Sequence, residues 1–452
     1  TTKERSGMMD VVEGAERSAG RRRVVVTGLG AITPVGHTAR ETWEAFVQGR
    51  SGVAEATLCD ASVFPTRLAA EVKDFNPEAH IAPKEARRMA RCSQLAIVAG
   101  RQAVADAGLD VAHEDRERIG VVLGVAFGGI DILMEPIHRF LGEGVTRVTP
   151  HVPLETLINM PAFHIGLEHG FRGPLSTLGT ACAAGTQAIG EGLEWIRRGA
   201  CDVVLAGGAE AQITPLFYIG FTSMKVLSTY AGDPTRASRP FDLNRDGFVI
   251  GEGAVILVLE ELEHARRRGA RVYAEVLGEA ATADAFHIAA PDPTGAGPAR
   301  TMRLALADAG IAAEQVDYIN AHGSATQPND AAETAAIKQV FGPHAYRLAI
   351  SSTKSMIGHL FGAAGAVEAL ATVMAVHTDT IHPTINYETP DPACDLDYTP
   401  NVARRRRVNV AISNSFGLGG QNACVVFGKW QDRQAEGTPS PDVGPLDAHV
   451  SG

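Results

Sequence analysis

The sequence predicts an α/β protein whose sheets are covered on both faces. Three observations carry this. Short apolar, β-rich runs alternate with helical patterns along nearly all of the 452 residues. Aromatic residues are few (6%) and glycine is frequent (48 residues), which suits close-packed layers better than an all-β sandwich. A 45% hydrophobic and 21% charged composition is that of a globular chain, long enough for one large core or two fused units.

The elements follow in order. Residues 1–20 are charged and aperiodic and read as a flexible tail. Strands are expected at Arg23–Gly30, Ile119–Ala126, Val203–Gly208, Ala254–Leu259, Val272–Leu277, Val316–Ala321, Leu348–Ser352, Val408–Ser413 and Ala423–Gly428. Helices are expected at Arg40–Gln48, Ser93–Ala107, Gly185–Arg198, Thr301–Ala309, Ala331–Val340 and Gly362–His377. Residues 431–452, rich in Pro, Gly and Asp, read as a second tail. The strands fall into two sets that divide near residue 265, giving halves 21–265 and 266–430. Each set opens on a strand and closes on an apolar pair, which hints at a duplicated unit.

Composition narrows function. A net charge of −11 gives no global basic field for nucleic acid. Six cysteines without a CxxC pair argue against structural zinc or a disulfide framework and for a reducing compartment. No run of about 18 apolar residues suggests a membrane span, and the N-terminus lacks a signal-peptide core. The expected location is the cytoplasm.

Two motifs mimic known sites and fail on inspection. Val26-Thr27-Gly28-Leu29-Gly30 opens like a dinucleotide fingerprint, but Thr33 stands where the third glycine is needed, so it reads as a tight strand-to-helix turn. Asp242-Leu243-Asn244-Arg245-Asp246-Gly247 opens like a calcium loop, but Gly253 stands where the closing Glu belongs.

Three segments carry chemistry together. Cys182 lies in Gly179-Thr180-Ala181-Cys182-Ala183-Ala184-Gly185, among small residues that allow close approach. It heads a predicted helix, whose dipole is expected to favour thiolate. His322 follows a strand in Asn320-Ala321-His322-Gly323-Ser324-Ala325-Thr326. Lys354 and His359 follow another, and Glu368 lies in the next helix, positioned to pair with Lys354. A thiol with two imidazole donors fits nucleophilic catalysis with stabilisation of developing negative charge.

These segments, with Ser238-Arg239-Pro240-Phe241-Asp242 and Ser413-Asn414-Ser415-Phe416-Gly417-Leu418-Gly419-Gly420, resemble the β-ketoacyl-acyl carrier protein synthases. These belong to the thiolase-like condensing enzymes, and the likeness is to the KAS II type and the catalytic ketosynthase of type II polyketide systems. The resemblance runs from about Arg23 to Gly428. It implies a five-layered αβαβα fold and a decarboxylative Claisen condensation. Cys182 would carry the acyl chain. His322 and His359 would hold the malonyl thioester carbonyl. The backbone N–H groups of Cys182 and Leu418 would form the oxyanion hole. Lys354 paired with Glu368 would orient the His359 loop.

The resemblance further implies that Ser324 and Thr326 hold the phosphopantetheine arm. Phe127, Phe416 and Leu418 would border the substrate. Lys84, Arg87, Arg88 and Lys225 would dock the acidic carrier protein, with Arg91 more in keeping with a solvated helix face. No metal or redox cofactor is implied. A dimer is expected, either of two copies or with a chain-length-factor-type subunit. Ser324, Leu418 and Phe127, the last at the pocket floor, depart from the fatty-acid pattern and lean toward polyketide or polyene synthesis, while Ser413 to Phe416 lean back. A degradative thiolase would place a second Cys where His359 stands. A non-catalytic chain-length-factor-like subunit would lack Cys182.

Overall fold

The computed structural model describes residues 21–144 and 150–431. The predicted tails therefore lie outside the described residues, apart from Gln431. Ten strands build the core: β1 (Val24–Ile32), β2 (Ile119–Gly124), β3 (Leu175–Leu178), β4 (Val203–Ala211), β5 (Ile250–Glu261), β6 (Ala274–Ala283), β7 (Tyr318–Asn320), β8 (Ala349–Ser351), β9 (Val410–Gly417) and β10 (Gln421–Gly428). The first five lie in the order β3-β2-β4-β5-β1 and the second five in the order β8-β7-β9-β10-β6. The two orders are the same when each set is counted from its own first strand.

Polarity also matches. β2 runs parallel to β3 and β4, while β4–β5 and β5–β1 are antiparallel. β7 runs parallel to β8 and β9, while β9–β10 and β10–β6 are antiparallel. β1 and β6 pair antiparallel across Val24–Val26 and Ala274–Val276, which joins the two sets edge to edge.

The principal helices are α1 (Ala39–Val47), α2 (Arg91–Asp106), α3 (Met134–Glu143), α4 (Met160–His169), α5 (Ala184–Arg197), α6 (Pro215–Ser223), α7 (Ala296–Ala309), α8 (Gln327–Phe341) and α9 (Ala364–Thr378). α2 packs on β1, β5 and β4, and α7 packs on β6 and β10, with α8 beside α7. α5 and α9 pack on each other and reach strands of both sets. The layers therefore run helix, sheet, helix, sheet, helix. A helix in the middle layer meets apolar neighbours on all sides, so it is hydrophobic all round. The segment Phe361–Thr378 is apolar enough by length and composition to cross a membrane, yet 83% of it is buried inside the protein.

Three expectations need correction. The glycines of Val26–Gly30 do not form a strand-to-helix turn; they lie inside β1, which continues to Ile32. Their role is close packing, since a Cβ on Gly30 would fall 1.9 Å from the Ala99 carbonyl oxygen and one on Gly28 would fall 2.3 Å from that of Ala103. Lys84 to Arg91 do not share one helix. A short helix covers Pro83–Ala86, and Arg91 opens α2. Strand β3 and helices α3, α4 and α6 were absent from the sequence expectations. β3 is a short edge strand, Leu-Ser-Thr-Leu, and α6 is apolar on every side, so neither shows a clear period.

Candidate active site

The site forms where β3, β7, β8 and β9 end. After Leu178 the chain turns through Ala181, which holds a φ of +49°, and a short 3-10 turn spans Ala181–Ala183 before α5 begins. That left-handed conformation in a non-glycine residue makes a sharp bend under Cys182. Gly417 packs against the bend: a Cβ there would lie 3.2 Å from the Cys182 amide nitrogen.

Cys182 is only 6% exposed. Burial pushes its thiol up to about 11, although the backbone N–H of Leu418 faces the sulfur and the Lys354 charge also favours thiolate. The helix-start argument for a resting thiolate is therefore corrected: desolvation outweighs the local dipoles and the thiol rests protonated. The Cys182 backbone N–H acts on the sulfur as well.

His359 Nε2 lies 3.1 Å from Cys182 Sγ. Its Nδ1 accepts from the Phe361 N–H at 3.0 Å, which assigns the ring proton to Nε2. On the other side, Lys354 Nζ donates to the His322 carbonyl at 2.7 Å and faces His322 Nδ1 at 3.3 Å. The Lys354 amine donates to the His322 carbonyl and faces Nδ1, so His322 Nδ1 is the acceptor and its proton too sits on Nε2. The two imidazole centroids are 5.5 Å apart. Both rings are held well below the usual imidazole range by burial first, with the Lys354 charge adding to it. Both are therefore neutral N–H donors.

Lys354 forms a buried ion pair with Glu368, whose other oxygen accepts from Ser415 Oγ at 3.2 Å. The structure thus joins Lys354 and Glu368 as expected, but the ammonium braces the His322 backbone and ring rather than the His359 loop. Sequence reasoning missed two supporting carboxylates. Glu333 accepts from the N–H groups of His322 and Gly323 at 2.9 and 2.8 Å, and burial pushes it up to about 8. Glu210 accepts from the N–H groups of Ala126 at 2.7 Å and Gly362 at 3.2 Å, and burial pushes it up to about 7. An acidic residue inside an otherwise buried strand or helix was the available signal.

A cavity of about 710 Å³ opens over these groups. Cys182, His322 and His359 line it, with Ser324, Thr326, Phe416 and Leu418. Ser324 Oγ and Thr326 Oγ1 lie 2.9 Å apart. Lys225 is exposed at the cavity's edge. Lys84, Arg87 and Arg88 are exposed but do not line the cavity. Arg91 is not a solvated side chain: its guanidinium makes two bonds of 2.7 Å to Glu252. Phe127, expected at the pocket wall, also does not line the cavity. It lies one layer behind, edge-on to Phe361 at 5.6 Å. The Asp242 turn uses its carboxylate on the N–H groups of Asn244, Glu388 and Thr389, as a hydrogen-bonded turn should.

Residues 21–265 match the β-ketoacyl synthase N-terminal domain and residues 273–388 its C-terminal domain. The chain belongs to the β-ketoacyl synthase family. This β-ketoacyl synthase is 48% identical over 411 residues to the 3-oxoacyl-[acyl-carrier-protein] synthase 2 of Synechocystis sp., covering 91% of this chain and 99% of the relative. It is 44% identical over 409 residues to the enzyme of the same name from Coxiella burnetii, covering 90% and 99%. Among solved structures, the ishigamide ketosynthase/chain length factor matches with a TM-score of 0.85 at 37% identity, covering 91% of this chain and 100% of that one. A type II polyketide ketosynthase bound to the hexaketide, in complex with its acyl-carrier protein, matches at 0.84 and 35%, with the same coverage. The fold is thiolase-like, and the enzyme is a condensing acyltransferase that makes 3-oxoacyl products.

Proposed function

We propose that this β-ketoacyl synthase is catalytically active, with Cys182 as nucleophile and acyl and malonyl carrier proteins as substrates. One observation carries the reading: Cys182 and two neutral imidazoles with outward Nε2–H groups border the same cavity. In the first half-reaction the Cys182 sulfur attacks the acyl thioester and the carrier thiolate leaves. The proton lost by the thiol balances the one that thiolate gains. Nε2–H of His359 stabilises the forming thiolate at Cys182.

In the second half-reaction the malonyl thioester carbonyl accepts from His322 and His359. Carbon dioxide leaves, and the electron pair of the broken carbon–carbon bond becomes the enolate. Neutral donors fixed in place stabilise that charge without reorganising. The enolate carbon attacks the Cys182 thioester, whose oxygen is held by the N–H groups of Cys182 and Leu418. Collapse expels Cys182 as thiolate, which takes a proton from water to return to the resting thiol, and releases the 3-ketoacyl carrier protein. Electrons balance through loss of carbon dioxide, so the reading needs no resident cofactor.

A carrier-protein partner is supported by the polyketide ketosynthase solved with its acyl-carrier protein and by Lys225 at the cavity's edge. Lys84, Arg87 and Arg88 would add a more distant basic patch. We take the working form to be a dimer, with a second copy or with a chain-length-factor-type subunit. β3, the last strand of the sheet among the described residues, and the exposed Phe163, Leu167 and Leu175 on it and on the adjoining α4 support this. We take the division into halves 21–265 and 266–430 as the domain organisation, and the cytoplasm as the location, which suits six unpaired cysteines.

The test is the condensation product. Purified protein is mixed with malonyl carrier and with saturated or polyenoyl acyl carriers, with and without a partner subunit. A 3-ketoacyl product from saturated chains by this protein alone places it in fatty-acid synthesis. Product only from unsaturated chains, or only with a partner, places it in polyketide synthesis. No product under any of these conditions contradicts the reading.

A further inference from the structure

The backbone of His359 is pinned at both of its polar groups. Its N–H donates to the Val249 carbonyl at 2.7 Å, and its carbonyl accepts from the Gly251 N–H at 2.9 Å. The ring is held separately. Nδ1 accepts from the Phe361 N–H at 3.0 Å, which leaves Nε2 to face Cys182. Where the ring proton sits therefore depends on where the Phe361 amide points. That amide opens the short 3-10 turn Phe361–Ala363, which leads into α9. Phe361 holds a φ of +46°, a left-handed conformation that a bulky side chain rarely adopts. Such a conformation persists only where its surroundings impose it.

One buried carboxylate supplies that constraint. Glu210 lies near the end of β4 with no exposed surface. Its Oε2 accepts from the Gly362 N–H at 3.2 Å and the Ala126 N–H at 2.7 Å. Its Oε1 accepts from the Gln212 side-chain amide at 3.2 Å and the Phe127 N–H at 3.4 Å. Four donors thus converge on two oxygens, a set that an ionised carboxylate can accept in full. The fit around the turn is close. A Cβ on Gly362 would fall 2.8 Å from Glu210 Oε2, and one on Gly208 of β4 would fall 2.6 Å from the Gly362 carbonyl oxygen. Two successive amides of the turn are therefore committed: Phe361 N–H to His359, and Gly362 N–H to Glu210.

We propose that Glu210 is a positioning residue for the condensation: by holding the Gly362 amide it fixes the turn whose Phe361 amide keeps the His359 proton on Nε2. Glu210 does not line the cavity and acts only through His359. It belongs to the first half of the chain and the turn to the second, so the bond also ties the imidazole to the half that carries Cys182. The inference rests on the reading of His359 as a donor given above. A glutamine fills the same volume but offers one acceptor oxygen and turns an NH2 toward donors that need an acceptor. The turn must then relax, and the Phe361 amide with it.

Two readouts on the full chain test this. The first is the histidine ¹⁵N spectrum, with the His359 signal identified by its loss in His359→Ala. The second is decarboxylation of malonyl carrier without an acyl partner, in which carbon dioxide leaves and the enolate takes a proton from water to give acetyl carrier. The wild type is expected to show a bare Nδ1 and a protonated Nε2 at His359. Glu210→Gln should show both tautomers and a kcat lowered by roughly 10- to 100-fold, the scale of a small misplacement of a reacting group, with KM nearly unchanged. If that variant does not fold, Glu210→Asp, which draws the carboxylate back from Gly362 by one methylene, is read in the same way. A wild type protonated on Nδ1 overturns the inference whatever the variants do. So does a folded variant in which either readout keeps its parental value, or in which the loss is carried by KM. A wild type that does not decarboxylate malonyl carrier overturns the donor reading of His359, while the tautomer still decides what holds its ring.

Discussion

At the scale of single residues, the site runs on burial. Desolvation keeps Cys182 protonated and both imidazoles neutral, so the groups that must donate hydrogen bonds hold their protons. The sign for Cys182 is fixed: a thiol raised to about 11 is mostly neutral below that pH. Its alkylation by iodoacetamide should therefore climb about tenfold per pH unit from neutral pH to about pH 10. A plateau near neutral pH would mean a resting thiolate. His322 has a narrower task. His322→Ala should lower condensation by about 10²–10³, the usual cost of removing one donor to a developing anion. Transfer of an acyl group to Cys182 should survive, because His359 rather than His322 touches the sulfur. Separate assays of the two half-reactions check this split. Cys182, His322, His359 and Lys354 were legible in the sequence because each stands in a short run of small residues at a strand or helix end. Glu210 and Glu333 were not: each is an acidic residue inside a buried element, but the backbone N–H groups it holds lie elsewhere in the chain, at Ala126 and at His322. Phe127 was misplaced by one layer, since sequence gives a neighbour's identity and not its depth.

At the scale of elements, close approach decides the packing. β1 and α2 touch backbone to backbone at Gly28 and Gly30, where any side chain would strike a carbonyl oxygen of α2. Gly30→Ala is expected to cost about 1–3 kcal/mol through overpacking, read as a lower urea midpoint with an unchanged slope. A variant as stable as the parent would show that α2 can move away freely. The same contact explains why the segment reads wrongly from sequence. Two glycines after a strand look like a phosphate-binding turn, but here they serve a helix that arrives more than sixty residues later. The long helices α5 and α9 were read within a few residues although neither has a side-chain N-cap: α5 keeps apolar positions at Ala188, Leu193 and Ile196, and α9 is a long alanine-rich run without proline. β3 was missed because it is a short edge strand whose pairing partner β2 lies far away in the chain.

At the scale of the whole molecule, two five-strand sets of identical order and polarity face each other across α5 and α9. Cys182 comes from the first set and the two imidazoles from the second, so the three groups come together only where the halves meet. The duplication was suggested by the strand spacing. The matching strand order was not, because order depends on pairings between distant segments. The exposed apolar surface around β3 makes an assembly prediction. Leu167 is 65% exposed, and Leu167→Asp should convert a dimer to monomer in light scattering. An unchanged mass would move the interface elsewhere. The central claim is that Cys182 carries the growing chain and hands it to an enolate made between His322 and His359. The most direct measurement is peptide mass spectrometry after acyl carrier is added, repeated after malonyl carrier follows. The account predicts an acyl group on the Cys182 peptide that disappears as 3-ketoacyl carrier protein forms. Product formation by a Cys182→Ala variant, or an acyl group on another residue that turns over instead, would contradict it.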